Sequence, residues 1–394
     1  MPNRTDVMES HLTLLALGGL LLAGLAADEI GRRTKLPRVT LLILVGIICG
    51  PSAFDLLPSA LSNQYEFLAS IALTMVAFLL GGAITQAKLR NNGREILVIS
   101  LSIVLLTALA VFAGLLAIGT PAPLALLLAG IATATDPAAT QDVVRQTRAK
   151  GSFTETVLGI VAVDDAWGLI VFSVILVLAS TMAGHGNSAA IVHGIWELIG
   201  AVLVGVAIGF PAAFLTGRIR SGEPMQSEAL GLVLLCAGFS VWLGVSFLLA
   251  GMVTGAIVAN FAEHHSRPFH EIEHIEWPFM VLFFVLSGAS LLLNSLAHIG
   301  LLGVAYIILR ILSRVFAGWF GAALTDAPDL HRHWIGLALM PQAGIALGMA
   351  LVAGTHFPDY KETLLAVAIG TTVVFEVFGP FLTQLALRKV GEAE

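Results

Sequence analysis

Two adjacent carboxylates follow one of the most apolar stretches of the chain. Asp164 and Asp165 come directly after the run 158–163, which contains only Leu, Gly, Ile, Val and Ala. Adjacent helical residues point about 100° apart, so one carboxylate can face a cavity while the other pairs with a neighbouring helix. Burial favours the acid and a nearby cation favours the carboxylate, so such a group can exchange a proton for Na⁺. We predict that Asp165 and Asp164 carry protons and bind Na⁺; the alternative is two static salt bridges.

A second polar group, Thr135-Asp136-Pro137, interrupts another apolar stretch. Pro137 has no N–H and disfavours helix at the residue before it. The interruption leaves backbone N–H and C=O groups without hydrogen-bond partners in the helix. In a bilayer such groups are tolerated only beside a cavity or inside protein. Thr135 and Asp136 supply oxygens that suit a hard cation, and we predict that they contribute to the Na⁺ site. The alternative for Asp136 is the N-cap of a helix that starts at the proline.

Arg310 and Arg314 also lie in an apolar stretch, one helical turn apart on one face. Charged groups at membrane depth are costly, so they are candidates for function by default. One arginine is the natural partner of Asp164, and the other is expected to meet Glu376 near the end of the chain. We expect Glu376 to form a structural pair rather than to contact the ion. Glu197 lies closer to the end of a span and is expected at the membrane interface.

Residues 262–276 contain four histidines and four glutamates. The spacing of His270 and His274 suits a metal, but no cysteine or second paired motif supports a metal site. A solvated cytoplasmic loop is the favoured interpretation, with pH sensing as an alternative because histidine titrates near neutral pH. No cofactor is predicted.

The composition sets the class of protein. Of 394 residues, 57% are apolar and 12% charged, and the mean hydropathy is +0.91; an average soluble protein has about 25% charged residues. Continuous apolar runs exclude a β-barrel, and no basic stretch resembles a nucleic-acid footprint. Cys49 and Cys236 both lie in apolar runs, so a disulfide framework is not expected. The sequence predicts an all-α polytopic membrane protein whose surroundings are the lipid bilayer.

The positions of the charges support a count of thirteen spans. Sixteen of the twenty Lys and Arg residues fall in alternate loops, and only Arg4 and Lys361 fall on the other side. This pattern predicts a multi-pass protein of the cell (inner or plasma) membrane, with the N-terminus outside and the C-terminus in the cytoplasm. The predicted spans lie near 12–28, 36–54, 66–86, 95–118, 122–145, 154–180, 190–217, 227–243, 245–261, 277–294, 297–322, 333–355 and 362–387.

An internal repeat relates the two halves of the chain. An offset of about 205 residues carries the Gly-x3-Gly at 46–50 onto 251–255 and the segment 78–83 onto 284–289. Nearly the same offset carries Thr135-Asp136 onto Pro341-Gln342. Copies separated by seven spans enter the membrane in opposite orientations. We therefore predict an inverted-topology repeat with two broken helices, at Pro137 and at Pro341 and Gln342, that cross at the midplane; the alternative is chance similarity of common residues.

Together these residues resemble the cation:proton antiporter superfamily, specifically its sodium/proton exchanger domain, of the prokaryotic Asp-Asp type. The resemblance covers essentially the whole chain. The motifs that carry it stand in family order: Thr135-Asp136-Pro137, Asp164-Asp165, Arg310-x3-Arg314, residues 341–347 and residues 376–380.

The resemblance implies a homodimer that exchanges Na⁺ or Li⁺ for protons by alternating access, with a role in pH homeostasis. Asp165 matches the essential ion-binding aspartate, and Asp164 matches a position that is Asp in the charge-moving branch. The Thr-Asp-Pro motif is more similar to the branch whose exchange is electroneutral, and arginine in place of lysine departs from the best-known Asp-Asp antiporters, so the stoichiometry stays open. The implied division is a dimerisation scaffold (1–93 and 220–296), an ion-translocating core (94–188 and 297–389) and a linker helix (189–219), with no soluble regulatory domain.

Other functions remain as alternatives. Within transport these are a K⁺/H⁺ antiporter and a Na⁺-coupled symporter, and a membrane receptor would bind a ligand without flux. An intramembrane aspartyl protease would use Asp136 and Asp165 as its catalytic pair, but the Gly-x-Gly-Asp signature is absent. We therefore do not expect an enzyme.

Overall fold

The described part of the chain is built of helices. The structure, a computed structural model, describes residues 4–34, 38–51, 53–62, 64–83, 93–182, 188–216, 225–262, 266–290, 300–342 and 344–393. The α-helices are α1 (Arg4–Thr34), α2 (Arg38–Cys49), α3 (Ser59–Ser62), α4 (Tyr65–Ala83), α5 (Gly93–Ala117), α6 (Ala122–Ile131), α7 (Pro137–Thr147), α8 (Ser152–Met182), α9 (Ser188–Thr216), α10 (Met225–Leu243), α11 (Phe247–Phe261), α12 (Ser266–Ala289), α13 (Gly300–Leu324), α14 (Asp329–Ala338), α15 (Gly344–His356) and α16 (Lys361–Val390), with a 3₁₀ turn at Pro358–Tyr360.

The helices have the length and surface of membrane spans. Among the described residues, nine helices are long and apolar enough to cross a bilayer, and four shorter apolar helices accompany them. Large apolar side chains point outward, as at Leu14, Trp242 and Leu301, each at least 70% exposed. Such a surface is stable against lipid but not against water. The predicted all-α polytopic fold is confirmed, and the exact count of thirteen spans stays a prediction.

Two apolar helices are interrupted where the sequence predicts. Helix α6 ends at Ile131 and α7 begins at Pro137, while α14 ends at Ala338 and α15 begins at Gly344. Helix α16 packs directly on the second interruption, because a Cβ at Gly379 would lie 2.7 Å from Pro341 Cα. The two breaks predicted from prolines are thus present.

The repeat appears as the same close helix contact made twice. Gly46 of α2 faces the Val285 carbonyl of α12, and Gly255 of α11 faces the Phe78 carbonyl of α4. Neither site has room for a Cβ atom. Since the offset relates α2 to α11 and α4 to α12, each pair is the repeat-related copy of the other, as an inverted repeat requires.

Helix α12 begins earlier than predicted. Residues 266–276, predicted as part of a solvated loop, form its first three turns. Ile272 is buried, and Phe269 stacks on Phe78 with ring centroids 4.8 Å apart. Apolar residues three apart give this charged stretch an amphipathic face, which packs on α4 and extends the helix. The remaining predicted loop residues, 263–265, lie outside the described part.

Helix α8, which carries the paired aspartates, is capped by a residue from the end of the chain. The Glu392 carboxylate accepts hydrogen bonds from the backbone N–H groups of Phe153 (3.0 Å) and Thr154 (2.8 Å) and from the Thr154 hydroxyl (2.8 Å). Partial burial acts to raise the pKa of Glu392, but these hydrogen bonds, with a contribution from His331, hold it below its ordinary value. Glu392 therefore supplies the N-terminal capping that the first turn of α8 needs.

Candidate cation site

Arg310 of α13 reaches both helix interruptions at once. Its Nε and Nη2 donate to the carbonyls of Ala132 (3.1 Å) and Ala134 (2.7 Å) in the first break. Its Nη1 donates to the carbonyl of Met340 (2.9 Å) in the second. The guanidinium is buried and lies 4.1 Å from the centre of the Phe375 ring. One side chain thus joins the two breaks.

Arg314, one turn further along, makes the same kind of bridge. Its Nη1 donates to the Leu339 carbonyl of the second break at 2.7 Å. Its Nη2 donates to the carbonyls of Thr133 and Ala134 in the first. The close approach of α13 and α14 makes this reach possible, because a Cβ at Gly318 would lie 2.7 Å from a backbone atom of α14.

These contacts add partners that the sequence does not predict for the arginines. The sequence predicts only carboxylates, whereas the hydrogen bonds of Arg310 and Arg314 described above go to backbone carbonyls. Those carbonyls lie at the C-terminal ends of α6 and α14, where the last turns lack intrahelical partners and the helix dipole is negative. The two buried guanidiniums supply both hydrogen-bond donors for these carbonyls and positive charge at the negative helix ends. Two broken helices can therefore lie side by side away from water.

Asp164 lies against this pair of breaks and is fully buried. Its Oδ1 accepts a hydrogen bond from the Ser100 hydroxyl of α5 at 3.1 Å, and Thr135 of the first break also interacts with the carboxylate. Its Oδ2 lies 3.8 Å from Arg314 Nη1 and has no hydrogen-bond partner among the described residues. Arg314 rather than Arg310 is therefore the ion-pair partner of Asp164.

Asp165 follows in the same helix, but its side chain lies outside the described part of the structure. Its backbone belongs to α8. Its role as the ion-binding aspartate stays a prediction.

Asp136 acts as a helix cap. It is the N-cap of α7, and its carboxylate accepts a hydrogen bond from the Ala139 N–H at 3.0 Å. This is the alternative that the sequence left open, and it places one negative charge at the positive end of a half-helix. Ion contact by Asp136 stays a prediction.

Glu376 of α16 does not form the expected ion pair. In the part of the chain that is described it makes no ion pair with an arginine; its carboxylate accepts a 2.6 Å hydrogen bond from Thr40 of α2. Both residues are buried, and Asp136 acts electrostatically on Glu376. Arg310 faces the ring of the neighbouring residue, Phe375, instead.

Gln342 fills the second break. Its Nε2 donates to the Ile131 carbonyl at the end of α6 and to the Tyr306 hydroxyl of α13, both at 3.4 Å. Its Oε1 is buried, with no hydrogen-bond partner among the residues described. Pro341, beside it, packs on α16 as described above. Gln342 therefore also joins one break to the other.

The sequence interpretation missed three residues that contact this site: Ser100, Thr40 and Tyr306. Each is a hydroxyl in an otherwise apolar helix, which is a weak signal because Ser and Thr hydroxyls usually bond their own helix backbone. Only packing shows that these three bond across helices.

The remaining candidates lie away from the site. His270 pairs with Glu273 at 3.2 Å on the exposed side of α12. Within the described residues, no group of three or more His, Cys, Asp or Glu side chains is arranged to hold a metal ion. Glu197 of α9 is buried and lies 3.6 Å from His356 at the end of α15.

Comparison with known proteins identifies the family. Residues 17–389 match the family described as sodium/hydrogen exchanger, transmembrane. The ammonium/H⁺ antiporter subunit AmhT of Alkalihalophilus pseudofirmus is 21% identical over 94% of each chain. The Na⁺/H⁺ antiporter NhaP of Pseudomonas aeruginosa is 26% identical, but this match spans 48% of the present chain and 47% of that protein.

A solved structure has the same fold. The sodium proton antiporter MjNhaP1 of Methanocaldococcus jannaschii, determined at pH 8, superposes with a TM-score of 0.77 and 21% identity. The match covers 98% of the present chain and 100% of that one. The chain therefore belongs to the sodium/hydrogen exchanger transmembrane family, and the predicted class of function, cation/proton antiport across a membrane, is confirmed.

Proposed function

We propose that this protein exchanges Na⁺ or Li⁺ for protons at the aspartate pair of α8, by alternating access. The observation that carries the proposal is Asp164: a fully buried carboxylate beside two helix interruptions, with one oxygen that has no described hydrogen-bond partner. Arg314 balances its charge from 3.8 Å but makes no hydrogen bond to this oxygen, so the oxygen is left for a proton or a cation to bind. Membrane-embedded carboxylates are by default assigned to ion and proton pathways.

The proposed ligands follow from position. Asp165 binds the ion and, in its absence, a proton, because it is the carboxylate beside Asp164. Thr135 already interacts with Asp164 and supplies a further oxygen, and Asp136 adds negative charge nearby. The substrates are Na⁺ (or Li⁺) and H⁺, and the proposal needs no cofactor and no enzymatic step.

Alternating access requires the proposed core to move against the proposed scaffold and linker. The ion pair between Lys361 and Glu66 joins these parts and is weak enough to allow it. Lys361 Nζ lies 2.8 Å from Glu66 Oε1 with both side chains more than a third exposed. Solvent-exposed pairs contribute only about 0–1 kcal/mol, so breaking this pair is no obstacle to movement.

The stoichiometry depends on the Arg314–Asp164 pair. Arginine stays protonated, so a second exchanged proton has to ride on Asp164 itself. If the pair stays closed, one proton exchanges for one Na⁺; if it opens when Na⁺ leaves, both aspartates titrate. The 3.8 Å separation is longer than a charge-assisted hydrogen bond, and we favour the second, electrogenic exchange.

The setting of this activity is also part of the proposal. We place the protein in the cell membrane as a homodimer, with the N-terminus outside and the C-terminus in the cytoplasm. The asymmetric distribution of basic residues supports the orientation, and the family supports the membrane.

A transport assay tests the proposal. The purified protein is reconstituted into liposomes that carry a pH-sensitive dye and an acid interior, and Na⁺, Li⁺ or K⁺ is added outside. We expect dequenching with Na⁺ and Li⁺ but not with K⁺. A response to K⁺ alone would favour the K⁺/H⁺ alternative, and a protein that responds to none of these cations would refute antiport.

A further inference from the structure

A groove of about 610 Å³ lies between four helices, away from the aspartate pair. Its walls come from α4, α10 and α11 of the proposed scaffold and from α15 of the proposed core. The groove opens to the surroundings, because Phe67 is 60% exposed and Trp242 is 77% exposed. Its volume is within the range of about 300–1,000 Å³ that is typical of small-molecule sites.

The polar groups that an occupant can use lie at one end of this groove. Among the described residues, four polar side chains line it: Glu66, Ser70, Trp242 and Thr355. The two hydroxyls donate to carbonyls one turn back in their own helices. Glu66 and Trp242 remain, in the first turn of α4 and the last turn of α10. The occupant therefore needs a long apolar part and one polar end.

The depth of the groove matches one leaflet of a bilayer. Along α10 the lining residues run from Trp242 to Leu234, and this part of the helix is about 12 Å long. The hydrocarbon core of a bilayer is about 30 Å thick, so the groove spans less than half of it. Tryptophan is enriched at the membrane–water interface, which places the Trp242 end at the headgroups. The acyl chain of a lipid enters the membrane in this way.

An ion pair presents both signs of charge at the same end. Lys361 Nζ donates to Glu66 Oε1 at 2.8 Å, and the two side chains are 38% and 57% exposed. An ammonium has three donors and a carboxylate accepts at both oxygens, so each group can take a second partner. The pair therefore matches a headgroup with both a phosphate and a primary ammonium, as in phosphatidylethanolamine. Phosphatidylcholine has no N–H to donate, and phosphatidylglycerol has no cation.

We propose that this groove is a specific site for phosphatidylethanolamine. An acyl chain lies between α4, α10 and α15, the phosphate contacts Lys361, and the ammonium contacts Glu66. The site is separate from the proposed cation site and does not depend on which ion is exchanged. The bound lipid contacts helices of both the proposed core and the proposed scaffold, so its binding stabilises the folded protein.

Two glycines of α10 give a matched pair of variants. Gly238 lines the groove, and a Cβ added there meets no atom within 4 Å, so Gly238→Leu fills the groove without a clash. Gly231 lies two turns earlier on the same face, and a Cβ there also meets no atom within 4 Å. Gly231 is not among the residues that line the groove. Both substitutions change helix propensity equally, so only the groove distinguishes them.

The test measures lipid binding to the purified, delipidated protein in detergent. Phosphatidylethanolamine is titrated, and binding is followed by native mass spectrometry and by the rise in melting temperature. For Gly238→Leu we expect the affinity to fall at least about tenfold, the effect of displacing about two buried methylene groups. The rise in melting temperature should be lost with it, and Gly231→Leu should match the wild type. Wild-type binding by Gly238→Leu, or an equal loss in both variants, overturns the proposal.

The headgroup is tested with the charged pair. Glu66→Gln should weaken phosphatidylethanolamine up to about fivefold, the most that an exposed ion pair contributes, and should leave phosphatidylglycerol no weaker. Lys361→Gln should weaken both lipids, because both have a phosphate. Wild-type protein that binds phosphatidylglycerol or phosphatidylcholine as tightly as phosphatidylethanolamine would overturn the choice of lipid. If Gly238→Leu alters the oligomeric state in size-exclusion chromatography and Gly231→Leu does not, a second copy of the chain covers the groove and the lipid site is wrong.

Discussion

Replacing Arg310 by methionine tests how the two broken helices are held together. The change removes three charge-assisted hydrogen bonds, to the carbonyls of Ala132, Ala134 and Met340. It leaves a side chain of similar length that can still pack on Phe375. Arg310 is a cleaner target than Arg314, because Arg314 is also the ion-pair partner of Asp164.

The expected cost can be worked from these contacts. Hydrogen bonds to charged groups contribute about 1.5–3 kcal/mol each, so three of them amount to about 4–9 kcal/mol. Removing the buried guanidinium also removes its desolvation penalty, which is several kcal/mol. We expect a net loss of about 3–5 kcal/mol, because three buried carbonyls are left without donors at about 1–3 kcal/mol each. In a chain of this size that is a decrease in melting temperature of roughly 5 °C.

The assay is thermal unfolding of the purified protein in detergent, followed by size-exclusion chromatography of heated samples, alongside Na⁺-driven exchange. Arg310→Lys should fall between the wild type and the methionine variant, since one ammonium cannot replace a planar fork of donors. Leu312→Ala is the matched control on the same helix, because Leu312 is 62% exposed and faces outward.

Unchanged thermal stability would refute this reasoning. If Arg310→Met melts with the wild type and with Leu312→Ala, the carbonyls at the two breaks do not depend on Arg310. A loss of transport without loss of stability would mean that Arg310 acts on the ion rather than on the helix ends.

Three further changes have defined outcomes. Glu392→Gln should destabilise the protein by about 1 kcal/mol at neutral pH. Because the pKa of Glu392 is lowered in the folded state, the carboxylate stabilises the fold above its ordinary pKa, and this stabilisation disappears as pH falls through the folded-state pKa. The melting temperatures of the variant and the wild type should therefore converge in acid. Thr40→Val removes the hydrogen bond to Glu376 while keeping the shape of the side chain, and it should change the rate of exchange. Thr40→Ser keeps the hydroxyl and should exchange at the wild-type rate. Equal rates for the two variants would show that this contact does not affect exchange. Gly379→Val should lower expression and stability sharply through a clash with Pro341, which chromatography of the detergent extract measures, whereas tolerance of valine would contradict the close packing of α16.

The sequence predicts well those features that depend on the conformational preferences of a few neighbouring residues. Pro137 cannot continue a helix, and Asp136 is a favoured cap before a proline, so the first break follows from two residues. The second break follows from Pro341 through the repeat. The glycines at 46 and 255 indicated the repeat, and the structure shows that each lies at a close helix contact, which only glycine allows.

The partners of the arginines could not be predicted from their own neighbours in sequence. Arg310 and Arg314 are 176–181 residues from the carbonyls of the first break. An apolar sequence does not show which carbonyls lack partners. One signal was available: each broken helix leaves a C-terminal end that needs donors, and an arginine has five N–H groups. The same limit applies to Ser100, whose contact with Asp164 depends on how α5 packs against α8 and α13.

The helical start of α12 was missed for a different reason. Its first turns are rich in Glu and His, which suggested a solvated loop, while the helical period is carried by only three apolar residues, Phe269, Ile272 and Ile275. Tertiary packing on α4, rather than local hydropathy, decides the structure of this segment.

The most direct test of the central claim is Na⁺-driven proton flux in proteoliposomes with Asp165→Asn, measured beside the wild type and Asp329→Asn. Asp329 has a highly exposed side chain, so the control replaces a carboxylate of the same kind outside the site. We predict that Asp165→Asn abolishes the flux while eluting as a folded protein, and that Asp329→Asn exchanges at the wild-type rate. Normal exchange by folded Asp165→Asn would contradict the account, because the carboxylate proposed to carry the ion and the proton would then not be needed.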